Sequence, residues 1–345
     1  MLALSGPGEL IDSVPYLLGF HPSDSVVLVG LRLGPTGRAR VGISARVDLA
    51  DLAVDGAILD RCIEALARSQ ASRAVVLVYD GETDRIPAEL AGWLPWRSVI
   101  DDIGDRLADA GLALHDAVLV GGARWWSYLC RDPACCPVDG TPRHAPDSPA
   151  AAAAVYAGLG ALPSRSALEA LLEPEPSAGD PRRRELIEAA ERADVEATLD
   201  GRGDALRRSA VRALFAAARA HTADRPAPAR LPDAQLARFA SALRTTAVRD
   251  ACWMAVDAGR LPDSDLWRTL ARRLPAPYDA APLILLGWQE WRAGNGVMAG
   301  MAAARARASD PDCTAAQLLL DALAHGLDPG RTPRLRGRSA RRRAR

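Results

Sequence analysis

Two groups of residues in this 345-residue chain have the types from which a site is built. The first is Cys130, Cys135 and Cys136, arranged Cys-x4-Cys-Cys-Pro, with His144 following. Thiolates and an imidazole are zinc ligands, and four of them would close a tetrahedral shell. The spacing argues the other way: there is no Cys-x-x-Cys knuckle, and adjacent cysteines seldom both reach one metal. A reversible Cys130–Cys135 disulfide, or a packed reduced loop, fits the same residues. The second group is His21, Asp24, Arg46, Asp48 and Asp80, scattered along the chain. Gathered at one end of a sheet, a histidine, an arginine and three carboxylates would serve acid–base work or hold a metal. Each also has a plain reading. His21-Pro-Ser-Asp-Ser25 is turn chemistry, Arg46 and Asp48 alternate onto one strand face as an ordinary ion pair, and Asp80-Gly81 is a turn.

Whether the second group meets depends on the elements that carry it. Glu9 to Leu18 reads as a short helix closed by Gly19. Ser25 to Leu31 is a strongly apolar strand, and Arg40 to Leu49 alternates, with Gly34-Pro-Thr-Gly37 as the turn between them. A turn centred on Pro35 and Thr36 sets Ser25 opposite Arg46 and Ser23 opposite Asp48. Asp55 to Ser69 is an amphipathic helix with Ile58, Leu59, Cys62, Ile63 and Leu66 on one face. Arg73 to Tyr79 is the near-continuous apolar run of a strand buried on both faces. Val99 to Ala110 reads as a helix, Asp116 to Val120 as a fourth strand and Trp125 to Cys130 as a fifth. A helical crossover makes the third strand parallel to the second. His21, Asp24, Arg46, Asp48 and Asp80 then share one sheet end, where ligands of open α/β sheets bind. Gly121 and Gly122 join them if the fourth strand is also parallel. An antiparallel fifth strand sends the cysteine loop the other way.

The expected organisation is an α/β domain over residues 1–172, with a mixed sheet, an N-terminal hairpin and helical crossovers. A Pro-rich linker follows at 173–182, then an all-α half over 183–327 and a disordered Arg-rich tail over 328–345. Alanine abounds after residue 150 and aromatic residues make up only 5% of the chain, which favours helices packed closely through small side chains.

Composition excludes more than it reveals. All 43 basic residues are arginine. Without lysine there is no Schiff-base chemistry and no Gly-Lys-Ser/Thr phosphate loop. No Gly-x-Gly-x-x-Gly follows a strand, and neither Gly-x-Ser-x-Gly nor His-Glu-x-x-His occurs. Five histidines make a His-rich metal site a poor fit. The net charge is zero, yet residues 331–345 carry eight arginines and no acid, which leaves the body mildly acidic. Such a tail either touches nucleic acid or an anionic surface nonspecifically or serves as a solvated extension. The longest apolar stretches are strand-sized, no signal peptide is visible, and six cysteines do not make a secreted disulfide scaffold. The expectation is a soluble, cytoplasmic protein with no transmembrane segment.

Pro15-Tyr-Leu-Leu-Gly-Phe-His-Pro-Ser-Asp-Ser25 and Ala45-Arg-Val-Asp-Leu49 resemble an actinobacterial family described only as domain of unknown function 4192. Trp125-Trp-Ser-Tyr128, Cys135-Cys-Pro137, Asp310-Pro311 and Leu318-Leu-Leu320 are similar to it as well. The resemblance spans most of the chain apart from the tail. It implies a bacterial source with a GC-rich genome, which suits the missing lysine. It implies no activity, cofactor or site residue.

Two functional readings follow. In the first, the protein is a non-catalytic ligand- or partner-binding regulatory protein, its helical half offering a surface to a protein partner. In the second, it is a metal-assisted, hydrolase-like enzyme whose site lies at the sheet edge near His21 and Asp80.

Overall fold

In the computed structural model the described residues are 6–33, 39–52, 54–83, 93–143, 152, 155–156, 160–221, 231–261 and 265–335. The turn expected over residues 34–37, His144 and the tail from residue 336 onward lie outside them. The chain forms two compact units. The first comprises Met1–Leu168 with Ala322–Asp328, and the second Glu169–Asp321 with Pro329–Arg345.

The first unit opens with α1 (Pro7–Leu18), which has proline in its first turn and stops at Gly19, whose φ of 82° suits glycine. The hairpin β1 (Ser25–Leu33) and β2 (Ala39–Asp48) follows, then a single turn α2 (Leu49–Leu52). The Asp55 carboxylate accepts a hydrogen bond from the backbone N–H of Ala57 at 2.9 Å and so starts α3 (Gly56–Arg68). Next come β3 (Arg73–Tyr79), α4 (Arg97–Asp109), β4 (Ala113–Val120), β5 (Arg124–Ser127) and the two-residue β6 (Thr141–Pro142). The strands form one mixed sheet in the order β2-β1-β3-β4-β5-β6. Only β3 and β4 are parallel neighbours. β1 lies between β2 and β3 and is antiparallel to both, so β2 and β3 run in the same direction without touching.

The sheet is buried on both faces. Val26, Leu28, Val76, Val78, Ala117 and Leu119 pack with Leu59, Ile63 and Leu66 of α3 and Ile100, Ile103 and Leu107 of α4. Alternation sends Val27, Val29, Leu77, Tyr79, Val118 and Val120 to the opposite face, and all are buried. This is the face of α1, which packs against β4 through an apolar side containing Leu10, Ile11, Val14 and Leu18.

The hairpin register differs from the expected one. Leu31 pairs with Val41 but Val29 with Ser44, so Gly42 and Ile43 together oppose Gly30. This bulge, together with the pairing of Leu33 with Ala39, sets Ser25 opposite Asp48 and Val27 opposite Arg46. Gly30 allows the close approach: a Cβ there would lie 3.1 Å from the Ala71 Cβ and 3.4 Å from the Ile43 carbonyl oxygen.

Residues 322–328 belong to the first unit by contact. Gly326 sits on the backbone of Ala65, and Arg32 pairs with Asp328 at 3.1 Å.

After α5 (Arg165–Ala170) the chain is helical: α6 (Pro181–Leu199), α7 (Gly203–Ala220), α8 (Asp233–Arg244), α9 (Thr246–Asp257), α10 (Leu266–Arg273), α11 (Ala280–Ala293), α12 (Gly296–Ser309) and α13 (Thr314–Ala324). The unit boundary falls at Leu168/Glu169, and residues 173–182 are packed within the second unit rather than strung out as a linker. Glu175 N–H donates to the Arg272 carbonyl at 2.7 Å, and residues 176–179 form a 3-10 turn. α11 and α12 lie close because the contact is made of small residues. A Cβ at Gly287 would come within 3.2 Å of the Ala299 carbonyl, and Ala299, Ala302, Ala303 and Ala306 are fully buried.

The stretch expected to be disordered from residue 328 is held in place as far as residue 335. Asp257, completely buried, accepts from Trp288 Nε1 at 2.9 Å and from Arg292 Nε at 2.6 Å. Arg292 also donates to the carbonyls of Pro329 at 2.6 Å, Thr332 at 2.8 Å and Pro333 at 3.2 Å. Arg334 and the Leu335 N–H both donate to Asp257. No helix among the described residues is long and apolar enough to cross a membrane.

Candidate functional site

The sheet end beyond Tyr79 and Val120 gathers only part of the expected group. Arg46 and Asp48, two residues apart on β2, meet at 2.6 Å, and Arg46 also donates to the Ser23 carbonyl at 3.2 Å. The guanidinium lies over the Phe20 ring at 5.7 Å, and its side chain is only 8% exposed. Arg165 reaches the other oxygen of Asp48 at 3.3 Å. Asp24 takes a left-handed conformation with φ 44°, its carbonyl accepts from the Leu49 N–H at 2.9 Å, and the residue is exposed. It works as the turn residue of the plain reading.

His21 and Asp80 are not brought together. His21 follows α1, and its N–H donates to the Leu162 carbonyl at 2.9 Å. Asp80 follows Tyr79, so alternation sends its carboxylate to the other face of the sheet. There it accepts from Trp96 Nε1 at 2.9 Å, just ahead of α4, and from the Glu82 N–H at 3.1 Å.

Three residues on the α1 face carry polar groups that are buried and, among the described residues, have no hydrogen-bond partner: Ser25 Oγ, Tyr79 OH, and Nε and Nη1 of Arg46. They are neighbours by register. Ser25 pairs with Tyr79 on one side and with Asp48 on the other, and Arg46 shares the face of Asp48 one step along β2. Ser25 is fully buried and Tyr79 is 3% exposed. Burial pushes the Tyr79 hydroxyl well above its ordinary value, Asp12 pushes the same way, and Arg143 opposes them. The phenol is therefore a donor throughout the neutral range. Arg143 is held by the Gly121 and Gly122 carbonyls, each at 3.2 Å, so it stands at this same sheet end. Ser25 and Tyr79 are absent from the sequence-based group because a serine at a strand start reads as turn and a tyrosine in an apolar run reads as core. Their adjacency comes from the pairing of Ser25 with Tyr79 on one side and, through the bulge, with Asp48 on the other.

Partial burial, and secondarily Arg143, lower the His21 pKa below 6.5. Folding thus favours the neutral ring. That contribution is present above the unfolded value and is lost as pH falls through the lower folded one. In an NMR titration the His21 ring will titrate below 6.5, and Arg143→Gln will move it upward. A midpoint at or above 6.5, unmoved by Arg143→Gln, would remove Arg143 from this site.

The cysteine loop is separate. It leaves β5, where Ser127 Oγ accepts from the N–H groups of Leu129 at 3.2 Å and Cys130 at 3.0 Å. It turns on Asp132, whose carbonyl accepts from Cys135 at 3.1 Å and Cys136 at 2.7 Å. The turn brings Cys130, Cys135 and Cys136 together, their sulfurs all within 4.8 Å of one another. The Asp132 N–H, foremost, draws the Cys130 thiol below its ordinary value, while burial pushes Cys136 up to about 12.

No curated protein and no solved structure matches this chain. The family model described as "Domain of unknown function (DUF4192)" matches residues 7–330, which takes in both units and every residue discussed above apart from the last few of the anchored C-terminal segment. The chain belongs to the DUF4192 family.

Proposed function

We propose that this is a non-catalytic binding protein whose first unit takes up a small anionic ligand on the α1 face of its sheet. The observation that carries the reading is the adjacent set of Ser25, Tyr79 and Arg46, with buried donors lacking protein partners. A buried polar group without a partner costs about 1–3 kcal/mol. Neighbouring costs of that kind at one sheet end are explained if an acceptor comes to them. A guanidinium edge and two hydroxyls suit a carboxylate or a phosphate oxygen. The alternative, a metal-assisted hydrolase at the sheet edge, needs His21 and Asp80 in one cleft, and their opposite faces weigh against it.

Calorimetric titration with inorganic phosphate and with a short dicarboxylate tests this. Tyr79→Phe separates the site from mere packing. Removing an unpartnered buried hydroxyl should raise stability by about 1 kcal/mol, while affinity for the anion falls by about fivefold or more. Arg46→Met should weaken the anion by at least about tenfold. If neither probe binds, or if Tyr79→Phe destabilises the protein and leaves binding unchanged, the reading fails.

A protein partner is the second element of the proposal. An open groove between α7 and α9 has Val211, Ala247, Val248 and Ala251 in its lining with Arg207, Arg208, Arg212 and Asp204, the last paired with Arg207, which leaves Arg208 and Arg212 as the excess charge. That chemistry suits an acidic segment with apolar side chains. The arginines of residues 331–345 add nonspecific affinity for nucleic acid or an anionic surface, and the cytoplasm is the proposed location.

A further inference from the structure

We propose that Cys130, Cys135 and Cys136 form a three-thiolate site for a thiophilic divalent cation such as zinc, these three being the ligands that the described residues bring together. The geometry is close to what such an ion requires. A zinc–sulfur bond of about 2.3 Å in a tetrahedron sets sulfurs about 3.8 Å apart. The Cys135 and Cys136 sulfurs are 3.9 Å apart, and no pair of the three exceeds 4.8 Å. The objection from sequence, that adjacent cysteines seldom both reach one metal, is met by the turn on Asp132. Its carbonyl takes both the Cys135 and Cys136 N–H groups and folds the two residues back toward Cys130.

The loop is also fixed at both ends before any metal arrives. At its start, Tyr128 is 2% exposed and its hydroxyl donates to the Pro95 carbonyl at 2.6 Å. At its far end, Trp126 Nε1 donates to the Val138 carbonyl at 3.1 Å, and Arg124 Nη1 to the Gly140 carbonyl at 2.7 Å. Gly140 passes so close to the Trp126 ring, with φ 79°, that a Cβ would lie 2.5 Å from it. Between these anchors Arg131, Asp132, Pro133, Ala134 and Cys135 are exposed, so the loop has little apolar packing to define its shape. A metal would supply that definition. On binding, each thiol gives its proton to solvent as its sulfur bonds to the metal, so affinity rises with pH.

The test is an anaerobic titration of the full, reduced chain with cobalt(II), then displacement by zinc. Tetrahedral thiolate coordination gives cobalt visible absorption and an ultraviolet sulfur-to-metal band. The expected result is one equivalent bound, tighter at higher pH and displaced by zinc. Cys130→Ser and Cys135→Ser should each weaken binding by at least tenfold, with unchanged far-ultraviolet circular dichroism, while Cys313→Ser binds as the parent does. No absorption with cobalt in modest excess, or a band that survives Cys135→Ser, overturns the proposal. So does a trio that forms an intraloop disulfide on oxidation and takes no metal when reduced.

Discussion

Replacing Arg292 by alanine will destabilise the second unit by about 3–5 kcal/mol, the cost of leaving a buried carboxylate without its counter-charge. Asp257 has no exposure at all, and Arg292 is the cation that pairs with it, at 2.6 Å. The same guanidinium stacks over Trp288 at 5.3 Å and Trp291 at 5.1 Å, and it binds the carbonyls of Pro329, Thr332 and Pro333. One side chain therefore serves a buried charge, an aromatic cluster and the anchoring of the C-terminal segment. Denaturant unfolding followed by tryptophan fluorescence reads the effect, because Trp253, Trp288 and Trp291 sit together, with ring centroids about 5 Å apart. Limited proteolysis should also find residues 329–335 newly accessible. The double variant Asp257→Asn with Arg292→Met should recover much of the loss, because it removes both charges and keeps the volume. A loss below about 1 kcal/mol for Arg292→Ala would mean that the pair is hydrated and not buried.

Gly121→Ala will be nearly as damaging to the first unit, by about 3 kcal/mol or more. A Cβ at this position would stand 1.9 Å from the Thr83 carbonyl oxygen, a backbone atom that no rotamer change can move. It would also press on Trp126 at 3.1 Å. Either the turn after Asp80 or the end of β4 must shift, and Arg143 holds on to the Gly121 carbonyl. The anion site should weaken along with stability. Gly81→Ala, in the same turn but with nothing within 4 Å of its new methyl, is the control and should be close to neutral. Equal tolerance of the two changes would show that the turn does not lie over the strand end.

Much of the first unit was legible because its strands are continuous apolar runs. Arg73 to Tyr79 matches β3 residue for residue, and the hairpin and the crossover helices follow from pattern, whereas a parallel fourth strand stood only as a condition, which the β3–β4 pair meets. What pattern cannot supply is register. A bulge adds one residue to one strand and shifts the pairing beyond it, and nothing in the apolar pattern of Arg40 to Leu49 marks where that extra residue falls. Strand β6 has only Thr141 and Pro142, too few for any period. The site divides in the same manner. Arg46 and Asp48 were readable as a pair, because they alternate on one strand. Asp80 was placed at the right end of the sheet, but its face depends on one step of alternation beyond Tyr79. Ser25 and Tyr79 became visible only when register set them side by side. The cysteine loop escaped for another reason: whether neighbouring thiols converge is decided by a backbone turn, and Asp132 is an unremarkable residue for it.

The assignment of residues 322–328 to the first unit and of Pro329–Arg345 to the second means that the chain changes unit three times. On a ribosome, the sheet and its helices emerge first, yet the piece that lies against Ala65 and supplies Asp328 to Arg32 is made more than 150 residues later. The first unit to begin folding therefore waits for a segment that arrives only after residues 169–321 of the second unit have been synthesised. Dissection must respect this order. A fragment ending near residue 168 lacks residues 322–328 of its own unit, and one spanning residues 169–321 lacks the segment from Pro329 that Arg292 and Asp257 hold.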